Sequence, residues 1–471
     1  MNQQALRKDF GIILIVFIIS RIVFMLLGIR MNGIALYQYW QYLDVETLRS
    51  NLLAGIWYDH AQPPFFNLFL GIVVKIFGHA APFAFESIFK IISLVNSFLI
   101  LVILRSIISA RNISLLISLV YLLSPATLIF ESELFYTTFI SMLLLISVYF
   151  ILRIDQRRGW TESLGIFLPL ALLALTRSMY HLAWLIVIAL IILIYYWRKD
   201  GIRKLFASAL ISVALVSFWY FKNLLLFGAF SASSWIGMNM ARNVFHDNAV
   251  RDSSRIEAYE PFAKISVYKP FITDSLRKKF AGLNDRDLLA EMKNDSFINE
   301  NNIEYIDVSK QYMEASKTFV KQHPVSYLKN VLQSSIIFFT SATRYPLAEE
   351  PSKKIKYYDV VYSFNLSHFA EGKPQRRVAL TLSAIPKLVL YLFVFGYLIR
   401  RSLRLRQVSL VNLVIIATIG FVFVVSSLLE HYENMRFRYE IEPLFLLLLG
   451  QVLFYVLSNR NNSATERNKN S

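Results

Sequence analysis

Asp59 to Phe69 reads DHAQPPFFNLF, and the apolar run continues to Gly78 as LGIVVKIFG. Two adjacent prolines, Pro63 and Pro64, separate a polar cluster from that run. Proline fixes φ, lacks an N–H and suits the first turn of a helix, so the stretch predicts a stiff turn leading into an apolar helix. The plain reading is a helix start. The richer one is that the prolines hold His60 and Gln62 in place to face a ligand.

Of the 471 residues, 56% are hydrophobic and 17% charged. Apolar runs of roughly 17 to 25 residues, the length that crosses a bilayer as helix, recur along the chain. Barrel strands would be about half as long and alternating. The expected class is an all-α polytopic membrane protein. Its transmembrane helices, about ten, fall near residues 11–29, 86–106, 112–130, 134–152, 161–177, 181–197, 205–222, 383–399, 408–428 and 441–458. Cysteine is absent, which excludes disulfides, thiol catalysis and thiolate metal sites. No small-residue cleavage site follows the first apolar run, so MNQQALRKDF leads into an uncleaved first helix.

With the N-terminus inside, the cytoplasmic side receives fifteen basic residues, among them Arg105, Arg111, Arg153 and the four arginines of RRSLRLR, against Asp9, Asp155 and Asp200. This satisfies the positive-inside rule. The large polar segment 229–323 carries thirteen Lys/Arg and thirteen Asp/Glu, so it adds nothing to the net charge of +17. Basicity gathered at a membrane face fits an anionic lipid surface better than a nucleic acid. HPVSYLKNVLQSSIIFFTSA (His323 to Ala342) carries Lys329, Asn330 and Gln333 and reads as interfacial. The organisation is one domain over 1–458, with an outer first loop 30–85 and a large outer loop 223–382, then a disordered cytoplasmic tail 459–471.

On this topology the conspicuous polar residues collect on the outer face. Asp44, Glu46, Asp59, His60 and Gln62 lie in the first loop, and Glu131 and Glu133 in SPATLIFESELFYT. Arg177 and His181 lie in LTRSMYH, Lys222 and Asn223 in FWYFKNLLLFG, and Arg436 and Arg438 in EHYENMRFRYEIEP. Each has a bland reading as a solvated carboxylate, a helix-end charge or a snorkelling cation. Arg21, inside the first span, is costly there and marks function or a reach to the interface. Tyr42, Trp57, Tyr58 and Trp235 could stack on sugar faces or form an interfacial belt.

AQPPFFNLFLGIVVKIFG after a long acid-bearing loop resembles the start of the C-type (GT-C) membrane glycosyltransferases, in particular protein O-mannosyltransferases and the aminoarabinose transferases that modify lipid A. LLSPATLIFESELFYT, LLALTRSMYHLAW, FWYFKNLLLFGAFSASSWIGMN and ENMRFRYEIEPLFLLL look like the later stations of bacterial family-39-like relatives. The resemblance implies a GT-C-type bundle around an outward-opening cavity, with interfacial helices in the first loop. It implies inverting transfer of a hexosyl or pentosyl unit from a polyprenyl-phosphate-sugar donor to a glycolipid, polysaccharide or protein acceptor. Asp44 matches the first-loop catalytic acid, with Glu131 and Glu133 at the second acidic station. Gln62 stands where the lipid A transferases have Lys, and Val45 separates Asp44 from Glu46.

Phosphate calls for Arg or Lys, and Arg177, Lys222, Arg436 and Arg438 are the candidates for the donor phosphate. His60, Gln62, Pro63, Pro64, His181, Asn223 and Trp235 are the candidates for the substrate cavity. No spacing compels a metal, although some relatives bind a divalent cation. The expected partners are the lipid-linked donor, membrane lipids and an acceptor. The expected setting is a bacterial inner membrane, within the cell envelope, with a periplasmic active site. A lipid-linked glycan polymerase or ligase, and a transporter or flippase of a phosphorylated lipid, are the alternatives. Transporters usually place charge at the midplane, often with repeat symmetry, and no internal repeat is visible here.

Overall fold

The computed structural model describes residues 3–31, 33–245, 288–290, 292–293, 297–370 and 375–469, the side chains of Ile298, Arg376 and Arg377 and those beyond Ser458 excepted. The chain is an all-α, multi-pass integral membrane protein. The only described strands are a short antiparallel pair, β1 (Met292–Lys293) and β2 (Phe297–Ile298).

Ten helices fall where the apolar runs predict them. Five segments are long and apolar enough to cross a bilayer by themselves. They are α1 (Gln3–Leu26), the run Pro64–Ile107 that contains α5 (Pro64–Phe77) and α6 (Ala81–Ile107), α12 (Ile202–Phe227), α18 (Arg376–Leu405) and α19 (Leu410–Leu429). A further candidate is the pair α20 (Asn434–Glu440) and α21 (Glu442–Lys469), bent by 60° at their junction. Four apolar helices are shorter: α7 (Arg111–Leu123), α9 (Thr137–Arg153), α10 (Trp160–Ala174) and α11 (Leu182–Tyr196). At about 1.5 Å per residue they reach only ~20–26 Å. Adjoining pieces extend the path, as α8 (Pro125–Phe130) does for α7. The tail 459–471, expected to be disordered, has its side chains outside the described residues.

The first loop is filled by α2 (Ala35–Gln38), α3 (Val45–Ser50) and α4 (Leu52–Tyr58), ending at α5. Pro64 takes the first turn of α5 after an extended Pro63, so the prolines do start the apolar helix. Asp59 shapes the turn before them. Its Oδ1 accepts from the backbone N–H of Ala61 (2.9 Å) and Gln62 (3.1 Å), and its Oδ2 from Asn67 Nδ2 (3.0 Å). Asn67 also accepts from Leu43 N, which ties α5 to the chain ahead of α3.

Two buried ionic anchors lock α1 to the bundle. Asp9, fully buried, accepts from Arg105 (2.9 Å) and Arg111 (2.8 Å), joining α1 to α6 and α7. Twelve residues along, or ~18 Å at helical rise, Arg21 donates from Nε to Glu131 Oε1 (2.8 Å) and from Nη2 to Oε2 (2.7 Å). An intramembrane charge is tolerated when paired in this way.

Beyond α12 come α13 (Ile236–Phe245), α14 (Tyr305–Gln322), α15 (Pro324–Phe338), α16 (Pro346–Lys354) and α17 (Lys356–Ser363). A separate small core of Ala241, Val244, Phe245, Tyr312, Ala315 and Phe319 welds α13 to α14. Gly237 allows their close crossing, because a Cβ there would strike the Ser309 backbone carbonyl. The segment expected to be interfacial forms α15, about 22 Å long. Val325, Leu328, Leu332 and Ile336 make an exposed apolar stripe on it, and its other side packs on α19 and α20.

Candidate functional site

A cavity of about 320 Å³ opens where five polar stations meet. The first loop contributes Trp40, Gln41 and Gln62, and the start of α9 adds Tyr136. Arg177 and His181 come from the turn between α10 and α11. The segment from Ser231 through α13 brings Trp235, Asn239 and Arg242, and the end of α19 with α20 brings Glu430, Glu433, Arg436 and Phe437. The charges therefore come from helix ends and turns, where a backbone can present them without breaking a span.

Four of these charges form a buried ionic network with Glu440. Arg436, 1% exposed, donates to Glu433 at 2.5 Å and lies 3.5 Å from Glu440. Arg177 pairs with Glu440 and stacks its guanidinium 3.7 Å over the Phe437 ring. Arg242 approaches Glu433 at 3.5 Å and keeps 28% of its side chain exposed. Burial alone would raise the Glu433 carboxyl, but Arg436 and Arg242 hold it below the usual range. Glu430 differs. Burial and the neighbouring Glu433 push it up to about 7, against the pull of Arg242, Arg177 and Arg436. Its Oε2 is shielded and has no hydrogen-bond partner among the described residues.

The neutral lining is aromatic and hydrogen-bonding. Trp40 and Trp235 pack with ring centroids 5.7 Å apart, and Tyr136 donates to Gln41 Oε1 at 3.2 Å. His181 caps α11, its Nδ1 accepting from Ala183 N (3.2 Å). That bond assigns the imidazole proton to Nε2, making His181 a donor there.

Five of the residues expected from the sequence thus line one cavity: Gln62, Arg177, His181, Trp235 and Arg436. The others lie elsewhere. Asp44 is the N-cap of α3, its Oδ1 accepting from Glu46 N at 2.8 Å. Glu131 is held by Arg21, and Glu133, pushed up to about 8 by burial, is likewise absent from the lining. Lys222 donates to the carbonyls of Trp57 and Asp59, both at 2.9 Å. Arg438 pairs with Glu442. His60 bonds Ser234 Oγ through Nδ1 (2.9 Å) and rests against Phe227, and burial lowers it to about 3, so it is neutral. Asn223 donates to Ser231 O, and Pro63 and Pro64 support the turn behind Gln62. No three His, Asp or Glu side chains among the described residues come together as a metal set.

Lys222 has a counterpart across the loop. Lys293 donates to the carbonyls of Tyr39 (3.0 Å) and Tyr42 (2.8 Å), so two buried lysines grip the backbone that carries Trp40, Gln41 and Gln62. Sequence reasoning missed Trp40, Gln41, Tyr136, Arg242, Glu430 and Glu433. One signal was present: Glu433, Arg436 and Glu440 recur at spacings of three and four, the repeat of one helical face.

No family model matches the chain, and no curated protein matches it. Among solved structures, ArnT from Cupriavidus metallidurans bound to undecaprenyl phosphate is similar at a TM-score of 0.38 and 13% identity, covering 93% of this chain and 78% of its own. The same protein in the apo state is similar at 0.34 and 13%, covering 93% and 77%.

Proposed function

We propose that this chain is a GT-C-type integral membrane glycosyltransferase. It moves a hexosyl or pentosyl unit, with inversion, from a polyprenyl-phosphate donor to a glycolipid, polysaccharide or protein acceptor on the outer face of a bacterial inner membrane. The observation that carries this reading is convergence: residues from separate loops, each placed at one face by the charge pattern, line a single cavity with arginines, carboxylates and two tryptophans. Its volume lies in the range of small-molecule sites, ~300–1,000 Å³.

In this reading Trp40 and Trp235 offer rings to the apolar face of a sugar, and Gln41, Gln62 and His181 offer hydrogen bonds to its hydroxyls. The phosphate falls to Arg242, whose guanidinium is the most open of the cavity's three. Arg177 and Arg436, more deeply buried behind their ion pairs, set the surrounding positive field. An arginine suits the departing phosphate because its planar fork matches the anion's oxygens.

The test is a panel of radiolabelled undecaprenyl-phosphate hexoses and pentoses, incubated with purified protein in detergent and membrane extract. The expected result is loss of labelled donor with appearance of a labelled product. Labelled lipid that binds, or crosses reconstituted vesicles, without ever being consumed would overturn the enzyme reading in favour of transport.

A further inference from the structure

Transfer to a hydroxyl needs a group to take the acceptor's proton, and the following assignment rests on the glycosyltransferase reading. Two carboxylates line the cavity, Glu430 and Glu433. Glu433 is engaged by Arg436 and Arg242. Glu440, behind it, is engaged by Arg177 and Arg436 and does not line the cavity. Asp44, Asp59, Glu131 and Glu133 are not in the lining either. His181 has Nδ1 occupied by Ala183 N and so presents a donor, not an acceptor. Glu430 remains, partly exposed at the cavity wall and with no ion pair or side-chain hydrogen bond among the described residues; its Oε2 is shielded, so Oε1 is the oxygen that meets the cavity. It stands on rigid support: its N–H donates to Ser426 O (3.0 Å), and its carbonyl accepts from Asn434 Nδ2 (3.3 Å). A proton acceptor works when its backbone is fixed and one oxygen is left for the reaction.

We propose that Glu430 is the general base that receives the acceptor hydroxyl's proton. The acceptor oxygen attacks the anomeric carbon on the face opposite the phosphate. A carbon–oxygen bond forms there as the anomeric carbon–phosphate oxygen bond breaks, and the electron pair leaves with polyprenyl phosphate. Arg242 meets the added negative charge. The hydroxyl proton passes to Glu430 and from it to water at the cavity mouth. The groups facing Glu430 are Glu433, Arg242, Arg177 and Arg436. The first favours its protonated form and the three arginines its carboxylate. Only the carboxylate accepts a proton, so the transfer rate should rise with pH through about 7, where burial and Glu433 place this group.

The experiment compares wild type, Glu430→Gln and Glu430→Asp on the donor panel, with undecaprenyl phosphate binding measured in parallel. Glu430→Gln should lower transfer by ~10²–10⁴-fold while undecaprenyl phosphate binds within twofold of wild type. Glu430→Asp should keep part of the rate with a displaced acid limb. Transfer by Glu430→Gln within threefold of wild type, or transfer that survives it but dies in Asp44→Asn, overturns the assignment. So does loss of binding in step with rate, which marks a structural role. A readout independent of turnover is labelling of Glu430 by an apolar carbodiimide, which attacks protonated carboxyls. Labelling at pH 6, fading by pH 8 and blocked by undecaprenyl phosphate, is expected, and none at pH 6 overturns the proposal. Failure of wild type to consume any donor while this labelling pattern holds counts against the glycosyltransferase reading itself.

Discussion

The first loop and the last loop both carry several charges, and they use them in opposite ways. Between α1 and α5, Asp44 caps a helix, Asp59 ties a turn, and Lys222 and Lys293 reach in to hold backbone carbonyls. Those charges build the scaffold, and the groups the loop gives to the cavity are neutral: Trp40, Gln41 and Gln62. Between α19 and α21, Glu430, Glu433 and Arg436 line the cavity directly. A short acidic side chain in an irregular loop finds unpaired backbone N–H groups nearby and satisfies them, as Asp44 and Asp59 do, while Lys222 and Lys293 reach the loop's carbonyls from α12 and β1. In the last loop Arg436 stands in the first turn of α20 and draws Glu433, the residue just ahead of that helix, into an ion pair at the cavity wall instead of leaving it to the backbone.

The comparison breaks first at Arg436. It is fully buried between Glu433 and Glu440 and stacked on Phe135 (4.3 Å). Arg436→Met should cost about 3–5 kcal/mol of stability, because it leaves buried carboxylates under-compensated. The double variant Arg436→Met/Glu433→Gln should recover part of the loss. Thermal unfolding in detergent measures both, and a melting point unchanged in the single variant would show that the network is not a structural unit. Arg242, more open, should behave otherwise. Arg242→Ala should lower undecaprenyl phosphate affinity by about 1.5–3 kcal/mol, the value of a charged hydrogen bond, with little change in melting. Calorimetric or radioligand titration reads it, and unchanged affinity would remove Arg242 from the phosphate site.

Much of the fold was legible because a bilayer demands long apolar helices and penalises everything else. All ten predicted helices, the proline-led start of α5 and the importance of Arg21 follow from that. The site was legible at the level of segments but not of side chains. Arg436 and Arg438 look equivalent in NMRFRYE. Two residues apart, they lie about 200° around a helix, so when Arg436 faces the cavity Arg438 must face away, toward Glu442. Lys222 invited a phosphate role because nothing in the sequence reveals that the carbonyls of Trp57 and Asp59 lie in its reach. Such contacts join positions more than 160 apart in the chain, and spacing carries no trace of them.

Lys222 gives the next smaller effect. Lys222→Met should remove two bonds to buried carbonyls and cost about 1–3 kcal/mol. It should also raise the KM for donor more than it lowers kcat, since what it loosens is the segment presenting Gln62. Steady-state kinetics on the productive donor separates the two, and a pure kcat loss would return Lys222 to the chemistry.

The smallest effect belongs to Asp44, and it is the sharpest probe of the first loop. An N-cap stabilises a helix because its side-chain oxygen accepts from a backbone N–H that has no partner in the first turn. Asn does this about as well as Asp, whereas Ala cannot. Asp44→Ala should therefore lose about 1 kcal/mol and Asp44→Asn only a few tenths, read as melting temperatures in detergent. Equal losses in the two variants would mean that the negative charge, and not the hydrogen bond, is what the first loop requires of this position. The carboxylate would then do something beyond capping α3, and the division between a loop that builds and a loop that reacts would fail at the residue where the family resemblance places the catalytic acid.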